Sequence, residues 1–120
     1  MKRDLKLIRK IVQALEASED GGLPESFDYG KYTEEEVGHH LFLMLEGGLV
    51  RGEESGAFGD GLPVAVVTCL TWAGHEFAAA SADTSLWERA LRTVKDKGGA
   101  VTFTVLTKLL EGLISKSMGA

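Results

Sequence analysis

Residues 33–50, T-E-E-E-V-G-H-H-L-F-L-M-L-E-G-G-L-V, constrain the fold of this chain more than any other stretch. Thr33 can cap a helix with its hydroxyl, and Glu36 follows at capping-box spacing. Glu34, Glu35 and Glu36 occupy the first turn, where the helix dipole favours carboxylates. Val37, Leu41, Met44 and Leu45 repeat at helical spacing, and Phe42 and Leu43 extend the apolar surface beyond that stripe. The last two turns are thus apolar nearly all round, which predicts a helix covered on more than one side. Gly47 and Gly48 stop it, because glycine accepts the left-handed conformation of a helix C-terminus. Leu49 and Val50 then open a strand.

The order apolar helix, Gly-Gly, Leu-Val, strand resembles the way the third helix of many winged-helix domains enters the wing. That resemblance implies DNA binding, and the charge argues against it. Residues 33–46 hold four glutamates and no lysine or arginine. Residues 51–60 hold Glu53, Glu54 and Asp60 against Arg51 alone. Duplex binding draws most of its affinity from neutralised phosphates, so a groove-reading role for this helix is not expected.

The chain has 120 residues, enough for one domain with a sizeable core. Its net charge of −5 gives no general attraction to nucleic acid or anionic membrane. Cys69 is the single cysteine and cannot form an internal disulfide, which fits a reducing cytoplasm. The N-terminal residues are charged throughout and lack the apolar core of a signal peptide. No apolar run reaches membrane-spanning length, so no membrane partner is expected.

A first helix is predicted over 4–18, with Leu5, Ile8, Ile11, Val12 and Leu15 as its stripe. Lys6, Arg9 and Lys10 lie on or beside its opposite face, as a solvated face or a partner-binding patch. A short edge strand is predicted around Phe27 and Tyr29, leaving little room for the extra helix of a helix-turn-helix. Strands follow at 49–52 and 63–70, joined by an acidic, glycine-rich wing, and the second reads as buried on both faces or nearly so. Thr71 caps a helix to about residue 82, with Trp72 and Phe77 as core anchors. Ser85 and Glu88 form a second capping box ahead of Trp87, Ala90, Leu91 and Val94. Gly98 and Gly99 stop that helix. Thr102 caps the last one, whose apolar face is Phe103, Leu106, Leu109, Leu110, Leu113 and Ile114. This face is wider than one neighbour needs, so a homodimer through the C-terminal helices is expected.

No residue pattern points to catalysis, a cofactor or a metal. Glu36 and His39 have the Glu-x-x-His spacing of di-iron bundles, but that site needs a second copy of the motif. His39 and His40 point about 100° apart on a helix. One is read as partly buried and hydrogen-bonded, the other as solvated. Cys69 in an apolar strand reads as an inert thiol despite His75 nearby. The stretch 56–61 is glycine-rich but lacks the lysine of a phosphate loop. Within it Phe58 is either tucked onto the core or offered to a partner.

Four stretches together resemble one family: M-K-R-D-L-K-L-I-R-K-I, H-H-L-F-L-M-L-E-G-G-L-V, L-T-W-A-G-H-E-F-A-A-A, and D-T-S-L-W-E-R-A followed by G-G-A-V-T-F-T-V-L-T-K-L-L. The chain resembles domain-of-unknown-function family 2513, small proteins associated with phages and prophages. The resemblance implies a winged-helix-like fold and a mobile-element origin, and it assigns no activity and no catalytic residue. The expected fold is a single α+β, winged-helix-like domain over 1–120, with a core at 1–82, a wing at 49–70 and a C-terminal helical hairpin at 83–120. Leu41, Leu45, Trp72, Phe77 and Trp87 are its expected anchors. The expected function is that of a non-enzymatic cytoplasmic protein acting through an unidentified protein partner. Phe58, Arg9, Lys10, Arg89, Arg92 and Lys95 are the candidate contact residues. The alternative is a DNA-binding regulator that uses the basic face of the first helix (Lys2, Arg3, Lys6, Arg9, Lys10) or of the Trp87 helix (Arg89, Arg92, Lys95, Lys97) instead of the usual recognition helix.

Overall fold

The computed structural model describes residues 1–59, 61–96 and 102–119. The chain is mixed α+β, with five helices and a two-stranded antiparallel sheet among the described residues. It divides into two compact units, Met1–Glu76 and Phe77–Ala120.

In the first unit, α1 (Leu5–Ala17) starts at Asp4, whose carboxylate accepts the Lys6 and Leu7 N–H groups at 2.9 and 3.1 Å. Leu5, Leu7, Ile8, Ile11, Val12 and Leu15 are buried on one stripe. The predicted edge strand around Phe27 and Tyr29 does not form. Two turns stand there instead, closed by Phe27 N–H on the Pro24 carbonyl and Tyr32 N–H on the Tyr29 carbonyl, both at 3.0 Å. Asp28 accepts the Gly30 N–H at 2.9 Å. Local side-chain-to-backbone bonding thus overrides the β-preference of the aromatics. Phe27 is buried and meets Tyr29 edge-on.

Helix α2 (Glu34–Glu46) has the predicted capping box, with Thr33 and Glu36 bonded reciprocally at 3.0 Å. It ends in a Schellman turn: Leu49 N–H reaches the Met44 carbonyl and Gly48 N–H the Leu45 carbonyl. Gly48 takes φ +78°, the left-handed conformation this turn requires. The chain then enters β1 (Val50–Ala57), which pairs antiparallel with β2 (Pro63–Leu70) from Val50–Leu70 to Ala57–Pro63. Because β1 runs to Ala57, residues 53–57 of the expected wing loop are strand. The ladder shifts register between Arg51 and Gly52 and between Glu54 and Ala57.

β2 is not buried on both faces. Ala65, Val67 and Leu70 are buried, but Val66 is 63% exposed and Thr68 is exposed. The sheet packs α2 on one face and leaves the other open, the ordinary arrangement of an antiparallel pair. The far side of β2 lies against a loop: Gly21 and Gly22 stand close to the carbonyls of Thr68 and Val67.

Helix α3 (Trp72–Ala80) opens on Thr71, whose hydroxyl donates to the Gly48 carbonyl and accepts the Gly74 N–H. A Cβ at Gly74 would collide with the Leu49 carbonyl, so only glycine permits this approach of α3 to the end of α2.

In the second unit, α4 (Thr84–Asp96) packs against α5 (Phe103–Ser117). Phe77 is buried, with its ring centroid 6.1 Å from Trp87 and 4.8 Å from Phe103. Ala90, Val94, Leu106 and Leu110 complete this core. The predicted Ser85–Glu88 capping box is replaced by Asp83, which accepts the Leu86 N–H at 3.0 Å. The helix begins two residues earlier than that box required, because aspartate precedes it at a competent capping position. Thr102 caps α5 through the Val105 N–H at 3.1 Å, as predicted. The expected Gly98–Gly99 stop lies outside the described residues.

Candidate functional site

The expected contact residues fall in three places. Phe58 is half-buried and tucked against α2: a Cβ at Gly38 would lie 3.1 Å from its ring and 3.0 Å from Val64. Gly38 is therefore the slot that receives the wing aromatic. Arg9 and Lys10 are half-buried on α1, and Lys10 Nζ sits 5.3 Å from the Phe27 ring centroid. Lys10, Ala14, Ser18, Glu19, Phe27 and Asp28 border an open concavity of about 510 Å³. Arg89, Arg92 and Lys95 are all exposed on α4. Lys97, the remaining cation of that expected face, and Asp60 of the wing lie outside the described residues.

Among the expected anchors, Leu41, Phe77 and Trp87 are buried and Leu45 is half-buried. Trp72 is not an anchor: it is 81% exposed. Gly74 faces the Leu49 carbonyl, and residues two apart on a helix point about 200° apart, so Trp72 is turned to solvent. His75 and Glu76 share its face and are exposed as well. His75 Nδ1 lies 3.6 Å from Glu16 Oε2, a surface pair.

Both central histidines are buried, which corrects the expectation that one is solvated. His39 donates from Nδ1 to the Pro63 carbonyl at 2.8 Å and stacks on Phe42 at 5.9 Å. His40, 1% exposed, donates from Nδ1 to the Glu36 carbonyl at 2.7 Å and accepts the Asp4 N–H at Nε2, 2.9 Å away. A carbonyl only accepts and a backbone N–H only donates, so this ring is neutral with its proton on Nδ1. Burial holds its imidazole below the usual histidine value, against the opposing effects of the Glu36 carbonyl and Asp4. Asp4 in turn accepts the Tyr32 hydroxyl at 3.0 Å. Desolvation, then this bond, pushes Tyr32 up to about 12. Asp4 and Tyr32 were not singled out from sequence. An aspartate at the head of the predicted 4–18 helix is a local capping signal, but its contacts 28 and 36 residues away carry none.

The arrangement does structural work. His40, Asp4, Tyr32 and Glu36 satisfy one another, and both His40 nitrogens are engaged. Among the described residues no three His, Cys, Asp or Glu side chains converge as metal ligands. Cys69 is free and half-buried, and His75 pairs with Glu16. No helix among the described residues is long and apolar enough to cross a membrane.

The open features are an acidic strand, a solvent-facing tryptophan and a basic helical face. On β1, Glu53 and Glu54 are exposed beside the exposed Val66. On α5, the residues of the expected dimer face are buried or half-buried, and the large exposed apolar side chains are Val105 on the helix and Met118 at its C-terminal cap. No curated protein and no solved structure matches this chain. The family model described as hypothetical protein (DUF2513) matches residues 2–100, and the chain belongs to that family.

Proposed function

We propose that this protein is a non-enzymatic, cytoplasmic protein-contact module of phage or prophage origin, built on a winged-helix-like frame. The observation that carries the reading is the surface of α2. Its exposed side chains are Glu34, Glu35 and Glu46, while Val37, His39, His40, Leu41 and Met44 are buried. A helix so covered, whose fully exposed side chains are all carboxylates and which carries no cation, has nothing to place in a major groove. The frame itself is supported by element order: α1, a loop laid on the far side of β2, then α2, β1 and β2. Two turns stand where a helix-turn-helix carries its middle helix. Trp72 supports protein contact, since tryptophan is the residue type most concentrated at interface hot spots. The mobile-element origin rests on the family resemblance, and the genomic neighbourhoods of family members test it.

Electrophoretic mobility shift at low salt against random duplexes and the native promoter tests the main reading. No retardation below about 1 µM protein is expected, and submicromolar sequence-selective binding overturns it. A second reading, DNA binding through α4, is favoured by the exposed Arg89, Arg92 and Lys95. It requires binding that Arg89→Glu with Arg92→Glu abolishes. Self-association through α5 would use Val105 and Met118, and sedimentation equilibrium decides it. A monomer at tens of micromolar, roughly the range of weak interfaces, removes it.

A further inference from the structure

The two edges of the sheet are treated differently. β2 is flanked by β1 on one side and by the Gly21–Gly22 loop on the other. Among the described residues β1 is flanked in the sheet only by β2, and residues 50–57 make no further backbone hydrogen bond. From Glu53 to Ala57 every residue of β1 is exposed. An open edge carries a row of N–H and C=O groups that a further strand can use.

We propose that the free edge of β1 accepts an extended segment of a partner protein carrying two consecutive lysines or arginines. Glu53 and Glu54 are neighbours in sequence, and side chains of a strand alternate between faces. An added strand alternates likewise, so two adjacent cations would meet one carboxylate on each face. Val66, paired with Glu53 and 63% exposed, adds apolar surface on the open face for a lysine stem or a β-branched neighbour. The wider charge agrees: Met1–Glu76 holds 14 aspartates and glutamates against 7 lysines and arginines. A second copy of β1 is the disfavoured occupant. Antiparallel self-pairing about Glu53 and Glu54 would oppose carboxylate to carboxylate.

The proposal rests on the protein-contact reading, and its test is separate from the duplex assay. The probe is a capped eight-residue peptide of alternating threonine and valine with two central lysines. It is titrated into nitrogen-15-labelled full-length protein and followed by amide shifts and hydrogen exchange. Amides of residues 51–57 that face away from β2 should gain at least tenfold protection. The same peptide with two glutamates should bind at least tenfold more weakly, and methylating alternate backbone amides should abolish binding. Glu53→Lys with Glu54→Lys, both exposed positions, should reverse the charge preference, with a thermal melt showing the fold retained. The proposal is overturned by absent protection at millimolar peptide, equal binding of the methylated peptide, or shifts confined to α1 or α4. Protection that rises with protein concentration alone also overturns it, since the occupant would then be a second copy.

Discussion

The first turn of α3 and the buried faces of α2 and α4 contain the same two ring types with opposite fates. Trp72 is 81% exposed and Trp87 is 3% exposed. His75 is open to solvent on a side chain 58% exposed, and His40 is 1% exposed. Residue type therefore decides neither position. Helical neighbours do. Trp87 is followed by Ala90, Leu91 and Val94, an apolar row. Trp72 is followed at the same first two spacings by His75 and Glu76, a polar row. A large aromatic at the head of a polar row marks the outer face of its helix.

The sharpest way to break this contrast is Trp87→Ala. Removing a ring that packs edge-on against Phe77 should cost about 3–5 kcal/mol, measured by denaturant unfolding with a probe in Phe77–Ala120. A loss near that of a surface change would place the ring outside the core. Next, His40→Ala should cost about 1–3 kcal/mol, because the Asp4 N–H and the Glu36 carbonyl each lose their side-chain partner. His40→Asn or His40→Gln should recover part of this only if an amide reaches one of those groups.

Acid sharpens the same contrast without mutation. Folded His40 is held neutral below the usual value, so the unfolded chain binds its proton first. Stability is full above the unfolded value near 6.5 and falls as the pH drops from there through the folded value. Urea titrations from pH 8 to pH 5 should show this loss, reduced in His40→Gln. Asp4, Glu36 and His39 act on the ring, with Tyr32 bonded to Asp4, and the two acidic groups limit the fall. A flat profile for the native chain defeats the assignment. The smallest effects belong to the exposed pair: Trp72→Ala and His75→Ala should each change stability by no more than about 0.5 kcal/mol. A Trp72→Ala loss above about 2 kcal/mol would restore it as an anchor.

What could be read from sequence was what short-range chemistry writes. The Thr33–Glu36 box and the Thr102 cap depend on side chains within a few residues of the groups they satisfy, and the Gly48 turn on a glycine at the position that needs a positive φ. The aromatic pair at Phe27 and Tyr29 misled because Pro24 and Asp28 impose turns that outweigh β-preference. The exposure of Trp72 was legible in principle from His75 and Glu76. The position of Phe58 was not: it depends on the absence of a side chain at Gly38, in a different element. The same holds for His40, whose partner Asp4 lies 36 residues away.

That long span has a kinetic consequence. Helix α2, its Schellman turn, β1 and β2 follow one another directly, so their mutual contacts close over short loops. Docking α1 onto them, through His40 and Asp4 among others, closes a much longer one. Loop closure favours the short-range contacts first, so the folding nucleus should form in the helix–hairpin run, with α1 arriving after the barrier. In chevron analysis, Val67→Ala should then act mainly on the folding rate, whereas Ile11→Val should act mainly on the unfolding rate.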